Sequence, residues 1–272
     1  MKNVFTFLLL LFSLLCNGQS PKLFTTDKEL SSSLINQIYQ DRNGFIWIAT
    51  EDGLNRYDGA KFTIYKHEPN NEHSLAHNFV RTVFEDSKGH LLIGTYIGIQ
   101  MYDPATDNFT PLAKLEDTGE TLESNINSFI ERKNGEIWVS GNVLCKLDIK
   151  DHLLTVRKVD IAVTSPGSLF EDKKQNVWMA KGEEGVYQLT PDNQLTLHLS
   201  NGYVKSICED QRGNIYVGSI RKGLFIYDKE RKTFVPVDLK EKGELPVCFL
   251  YSGIPNELYI GTDGKGVAIY NI

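Results

Sequence analysis

From Ile35 onward the chain runs in short stretches that alternate apolar and polar residues, each cut off by Asp, Asn or Gly. The segment "INQIYQDRNGFIWIATEDGLNRYDGAKFTIY" (35–65) shows the pattern most clearly. Its period of two predicts four strands, at 35–40, 45–50, 54–57 and 62–65. The separators "DRNG", "EDG" and "DGAK" carry the residues that tolerate the positive φ of tight reversals. A lone hairpin of this kind is marginal in water, so it must pack against something.

What it packs against is more of itself. Related segments follow at "VRTVFEDSKGHLLIGTYIGIQMYDPATDNFTPL" (80–112), "INSFIERKNGEIWVSGNVLCKLDIKDHLLTV" (126–156), "PGSLFEDKKQNVWMAKGEEGVYQLTPDNQLTLHL" (166–199), "VKSICEDQRGNIYVGSIRKGLFIYDKERKTFVPV" (204–237) and "PVCFLYSGIPNELYIGTDGKGVAIYNI" (246–272). The bulky residue of each second strand falls at Trp47, Leu92, Trp138, Trp178, Tyr216 and Tyr259, 38 to 46 residues apart. That period, with four β-runs per copy, predicts an all-β propeller of four-stranded blades. The blades fall at about 33–66, 78–113, 124–159, 164–199, 202–237 and 245–272. In this reading Trp47, Trp138, Trp178, Tyr216 and Tyr259 are blade core. A glycine before the third strand recurs as Gly53, Gly98, Gly185, Gly223 and Gly266, with Asn142 nearby in the third copy. The last copy stops after its third strand. The run "PKLFTT" (21–26) is therefore a candidate to supply the outer strand and close six blades into a ring. The competing expectation is the front of a longer protein whose ring needs a seventh blade.

The first residues change the picture of location. Met1-Lys2, the apolar run "VFTFLLLLFSLLC" and the small and polar "NGQS" read as a secretory signal over 1–18, leaving 19–272 as the propeller. The predicted location is the periplasm or cell envelope of a gram-negative bacterium. Cys16 suggests a lipid anchor, but Leu15 before it is bulkier than a lipobox accepts. Cys145, Cys208 and Cys248 sit in apolar strand contexts and read as buried thiols, with one disulfide between neighbouring strands left open. A net charge of −6 with scattered Lys and Arg argues against a nucleic-acid partner or an anionic membrane surface.

The motifs "QDRNGFIWIATEDGLNRYDG", "EDSKGHLLIGTYIGIQMYD" and "EDQRGNIYVGSIRKGLFIYD" resemble the two-component regulator propeller repeat. The opening "LSSSLINQIYQDRNGFIWIATEDGLNRYDG" is similar to the sensor half of hybrid two-component histidine kinases. The resemblance implies a periplasmic sensor of oligosaccharides or a similar envelope ligand. Two departures stand out: "MAKGEEG" replaces Gly-Thr in copy four, and "SGIPNE" replaces the Asp turn in copy six. Such sensors normally carry more propeller repeats, a further β-domain, a membrane helix and kinase modules. None is read in this sequence, so signalling through a partner is expected, either a sensor kinase or a second propeller.

Candidate chemistry follows from where the repeat is broken. The pairs Glu85-Asp86, Glu171-Asp172 and Glu209-Asp210 recur at one turn, as do Asp58, Asp103, Asp148 and Asp228 after the third strand, and both sets read as structure. The loop "HEPNNEHSLAHN" (67–78) breaks the repeat. His73 and His77 have a metal-compatible spacing, but no third ligand is evident and the loop reads as solvated. Polar residues at the start of the innermost strands, Asn36, Arg81, Asn127 and Lys205 (with Gly167 at the equivalent place), border the predicted channel and would suit a hydroxyl-rich or acidic sugar. Turn residues Glu51, Asp52, Tyr96, Arg221, Lys222, Asp263 and Lys265 differ between copies, and variable loops on a repeated scaffold are where specificity lies. The exposed ring of Tyr96 would stack on a sugar. No cofactor, phosphate loop or nucleophile triad is read. The predicted function is therefore non-catalytic recognition. The alternatives are a protein-binding scaffold and a propeller glycosidase or lyase.

Overall fold

The computed structural model describes residues 23–27, 29–200, 202–239 and 245–272. The signal segment, its cleavage site, Cys16, Pro21 and Lys22 lie outside the described residues. Every named element is a β-strand, and the strands form six sheets, antiparallel but for one added strand, arranged in chain order as the blades of a propeller. The first blade has strands at Ile35–Gln40, Ile46–Thr50, Gly53–Tyr57 and Phe62–Tyr65, paired in that order. The third gains a fifth strand that the period-two pattern did not predict: Lys114–Leu115, leaving the second blade, runs parallel to the third blade's outer strand Leu153–Lys158.

Apolar packing lies in the seams between blades. The second strands Leu91–Thr95, Ile137–Ser140 and Ile215–Ser219 are buried along their whole length because a neighbouring blade covers each face. Five apolar clusters form, one per seam. Trp47 packs with Val80, Val83 and Ile93; Leu92 with Ile126, Phe129 and Val139; and Trp138 with Leu169 and Met179. Trp178 packs with Val204, Ile207 and Val217, and Tyr216 with Val247, Leu250 and Ile260. The first and sixth blades share no such cluster among the described residues. Ile35 and Ile38 on the first blade stay exposed, as do Val267 and Ile269 on the sixth.

Each seam filler is anchored by its turn. Asp41 accepts hydrogen bonds from the backbone N–H groups of Asn43 and Phe45 and, at 2.8 Å, from the indole N–H of Trp47. Asp172 does the same for Lys174, Asn176 and Trp178. In the third blade Arg132 occupies the Asp position, and Glu136 accepts the Trp138 N–H instead. The turn aspartates are structural, as their recurrence implied.

Four expectations need correction. Residues 23–27 form no strand, and the sixth sheet keeps three strands, so no latch is seen there; Phe24 packs instead on Tyr57 and Phe62 of the first blade. Tyr259 is only half-buried, because no blade covers its side of the sheet. Cys248 is exposed, while Cys145 and Cys208 are buried and all three are free thiols. The 67–78 loop is not simply solvated. Leu75 is fully buried in the first seam, and Gln100 holds the loop by accepting the Ala76 N–H and donating to the Ser74 carbonyl. Among the glycines that recur before the third strand, Gly98 does not adopt positive φ. A side chain there would lie 2.9 Å from the Leu122 carbonyl, so close approach excludes one.

Candidate functional site

The innermost strands bring their first residues together at one end of the channel. Asn36, Arg81, Asn127 and Lys205 line a single cavity of about 380 Å³ with Ser165, Gly167, Ser168, Gly182 and Val204. Four different blades therefore contribute the four polar residues predicted for the channel mouth. Two of them are fixed by the next blade: Asn36 Nδ2 donates to the Val80 carbonyl at 2.7 Å, and Asn127 Nδ2 to the Pro166 carbonyl at 3.2 Å. Arg81 Nε is buried without a hydrogen-bond partner among the described residues. A buried donor left unpaired is costly, and in native structures it calls for a ligand or water. The lining includes two cations and no carboxylate. Ser165 and Ser168 were not singled out in the sequence; their blade-four segment lacks the polar residue that marks the other blades there, and Gly167 stands in its place.

The variable turns lie at the same end. The N–H groups of Glu51, Tyr96, Ile220 and Asp263 donate to the carbonyls of Leu34, Phe79, Tyr203 and Pro246, each one residue before or at the edge of an innermost strand. Tyr96 is exposed and lies 5.5 Å from the His77 ring and 6.1 Å from Phe79, whose own ring carries the Arg81 guanidinium at 5.2 Å. Tyr96 is thus linked to the channel cavity through Phe79 and Arg81, a connection the sequence did not show. Arg221 stacks on Tyr203 at 3.6 Å, and the backbone N–H groups of Arg221 and Lys222 donate to Ser219 Oγ. Asp52 is engaged structurally, by an ion pair with Lys66 and a hydrogen bond from Asn78. Glu51, Asp263 and Lys265 are exposed at their turns and line none of the cavity. His73 and His77 do not converge: His73 Nδ1 faces the Phe109 carbonyl, and His77 Nδ1 accepts the Phe79 N–H.

A larger cavity, about 770 Å³, lies against residues 114–115, 119–124 and 142–143 and gathers none of the predicted ligand residues.

Three segments of the chain, 29–52, 74–96 and 198–221, match the family model described as two component regulator propeller. These segments span the first two strands of the first, second and fifth repeats, where the motifs are clearest. Over 83 residues the chain is 37% identical to histidine kinase P4 of Formosa agariphila, a match covering 28% of this chain and 6% of the kinase. Among solved structures, the extracellular domain of a B. thetaiotaomicron protein described as the one component system BT4673 superposes with a TM-score of 0.72 at 18% identity, over 93% of this chain and 37% of that one. Virginiamycin B lyase from Staphylococcus aureus superposes with a TM-score of 0.65 at 12% identity, over 93% of this chain and 88% of the lyase. At these identities the structural likeness establishes the propeller fold alone. The chain spans well under half the length of the kinase and of the one component system's domain.

Proposed function

From three segments that match the two component regulator propeller, we propose that the chain is the ligand-recognition part of an exported, non-catalytic sensor. Its ligand is an oligosaccharide or a similarly polyhydroxylated envelope molecule, and its signal passes through a partner. The carrying observation is the convergence of Asn36, Arg81, Asn127 and Lys205 on one cavity with two serines and no carboxylate. Asn and Ser supply the mixed donors and acceptors that sugar hydroxyls need, while Arg and Lys favour a ligand bearing a carboxylate or sulfate. The 83-residue likeness to a histidine kinase and the three matches to the two component regulator propeller support this reading over the scaffold and lyase alternatives.

The test is calorimetry of the purified chain against neutral, uronate-containing and sulfated oligosaccharides. Binding of an acidic oligosaccharide, weakened about tenfold or more by Arg81→Ala and by Lys205→Ala, is the expected outcome; each lost charge-assisted contact is worth about 1.5–3 kcal/mol. Binding that ignores both substitutions, or cleavage of the oligosaccharide during titration, would overturn it.

A further inference from the structure

The 770 Å³ cavity and the channel cavity are joined through the third blade. Asn142, in the turn between that blade's second and third strands, lines the larger cavity. Its carbonyl accepts both the backbone N–H and the hydroxyl of Ser165, each at 3.1 Å, and Ser165 lines the channel cavity. A second connection runs along the chain. Ser124 lines the larger cavity and its hydroxyl accepts the Asn142 N–H at 2.9 Å, while Asn127, just beyond it, lines the channel. On the segment between them, Asn125 Oδ1 is buried with no hydrogen-bond partner among the described residues. A buried acceptor left open calls for a donor from water or a ligand.

Sheet order gives the larger cavity its direction. From the channel outward the third blade's strands are Ser128–Glu131, Ile137–Ser140, Leu144–Lys150, Leu153–Lys158 and Lys114–Leu115. At one end of this sheet stand, in the same order, Asn127, Asn142, Lys158 and Leu115. Neighbouring strands lie about 4.8 Å apart, so the innermost and outermost are separated by about 19 Å. The cavity is therefore a trough that leads from the channel mouth out over the third blade. Leu115, Leu122 and Val143 form its buried or half-buried apolar lining. Lys114, Glu120, Glu123 and Lys158 are exposed around them, and none is held in an ion pair among the described residues.

We propose that this trough is a second subsite, which takes the neutral, hydroxyl-rich remainder of an oligosaccharide whose acidic unit sits at Arg81 and Lys205. It presupposes the channel cavity as the ligand site, as proposed above. Lysines and glutamates share the trough, so a run of like charges in the ligand would meet repulsion there. Neutral sugars meet none: their hydroxyls donate to Glu120 and Glu123 and accept from Lys114 and Lys158. Their C–H faces lie on the leucines and Val143.

The experiment is calorimetry of the whole chain with two probes. One is a disaccharide of a uronate and a neutral sugar; the other is a hexasaccharide carrying that disaccharide at one end of an otherwise neutral chain. Both bear a single acidic unit, so added length gives that unit no further register. The hexasaccharide is expected to bind about tenfold or more tighter, as two or more added hydrogen bonds imply. Lys158→Ala and Glu123→Ala, made separately, should each weaken the hexasaccharide about three- to tenfold and leave the disaccharide unchanged. Both side chains are exposed and unpaired, and unaltered thermal melts check that the variants fold. Arg81→Ala should weaken both probes alike. Equal affinity for the two probes overturns the trough while leaving the channel as the ligand site. So does a hexasaccharide that ignores both trough substitutions, or substitutions that weaken the two probes equally. If neither probe binds, the channel reading falls and the trough falls with it.

Discussion

The carboxylate of Glu85, at the end of the second blade's inner strand, accepts the backbone N–H of Arg42 in the first blade's turn at 2.8 Å. The same clasp recurs around the propeller: Glu131 accepts from Ser87, Glu171 from Lys133 and Glu209 from Lys173. Each glutamate thus ties its blade to the turn of the blade before. The first three clasps are doubled by a side chain: Arg42 on Glu85, Ser87 Oγ on Glu131 and Arg132 Nε on Glu171. In the third both side chains are largely buried, with Arg132 Nε donating at 2.8 Å. Glu171→Ala leaves a guanidinium and an N–H without their acceptor, and it should cost about 2–3 kcal/mol of stability. Glu171→Gln keeps one acceptor and should cost about 1 kcal/mol. Urea unfolding of the two variants checks the ordering. Equal losses would mean that the carboxylate charge, and not its geometry, holds the seam.

Seam fillers differ in worth according to whether both neighbours are present. Trp178 is covered on all sides, touches Tyr227 and Phe234 edge-on, and has its N–H held by Asp172. Trp178→Ala should cost about 3–5 kcal/mol. Tyr259 occupies the same place in the sixth blade but is half-buried, with its hydroxyl on Glu257. Tyr259→Ala should cost under about 1.5 kcal/mol. Chemical denaturation of the pair separates a repeat position that is core from one that only looks so in the sequence.

Acid stability is set in part by Glu136. Burial acts to raise its carboxyl pKa, but hydrogen bonds from Lys146 and Trp138 and the Lys146 charge outweigh it and hold the pKa at about 2. A folded pKa below the ordinary value stabilises the fold above about pH 4.5, and that contribution is lost as pH falls towards 2. The side chain is one-third exposed, so solvent screening reduces the contribution to about 1 kcal/mol. Glu136→Gln should lower stability by that amount at pH 7 and flatten the loss between pH 4.5 and 2. Thermal melts across that range check the sign; a variant that loses stability in parallel with the original would exclude the effect.

These residues also show how far the sequence could be read. The first blade's strands were legible almost to the residue, because alternation, turn chemistry and the repeat all pointed the same way. The channel residues were legible too: counting back from the turn Asp located Asn36, Arg81, Asn127 and Lys205, which the fold brings together. Three things were not. The Glu clasp spans neighbouring blades, so within one repeat Glu85 looks like part of its own turn. Leu75, in a loop rich in Asn and His, shows no periodicity that would mark it as seam. The state of Tyr259 depends on what lies beside the sixth blade, which no residue within that repeat reports.

At the channel mouth, Tyr96 offers a test of how the turns and the cavity work together. Its exposed ring leans towards Phe79, and Phe79 carries the Arg81 guanidinium. A sugar stacked on Tyr96 would therefore lie next to the charged wall of the cavity, with its ring on an aromatic face and its acidic group towards Arg81. Aromatic pairs gain about 0.5–1.5 kcal/mol beyond the area they bury, and a gain of that order is expected for a sugar ring on Tyr96. Tyr96→Ala should weaken binding of an acidic oligosaccharide about three- to tenfold, and Tyr96→Phe should leave it nearly unchanged, because the ring and not the hydroxyl does the stacking. The hydroxyl also has no structural task to lose: no hydrogen bond joins it to another described residue in the way Asp107 joins Tyr65 and Tyr102. Calorimetry on the two variants decides the point. If Tyr96→Phe weakens binding as much as Tyr96→Ala, the contact is a hydrogen bond and the stacking geometry is wrong; if neither changes it, the ligand sits in the cavity without touching the turn.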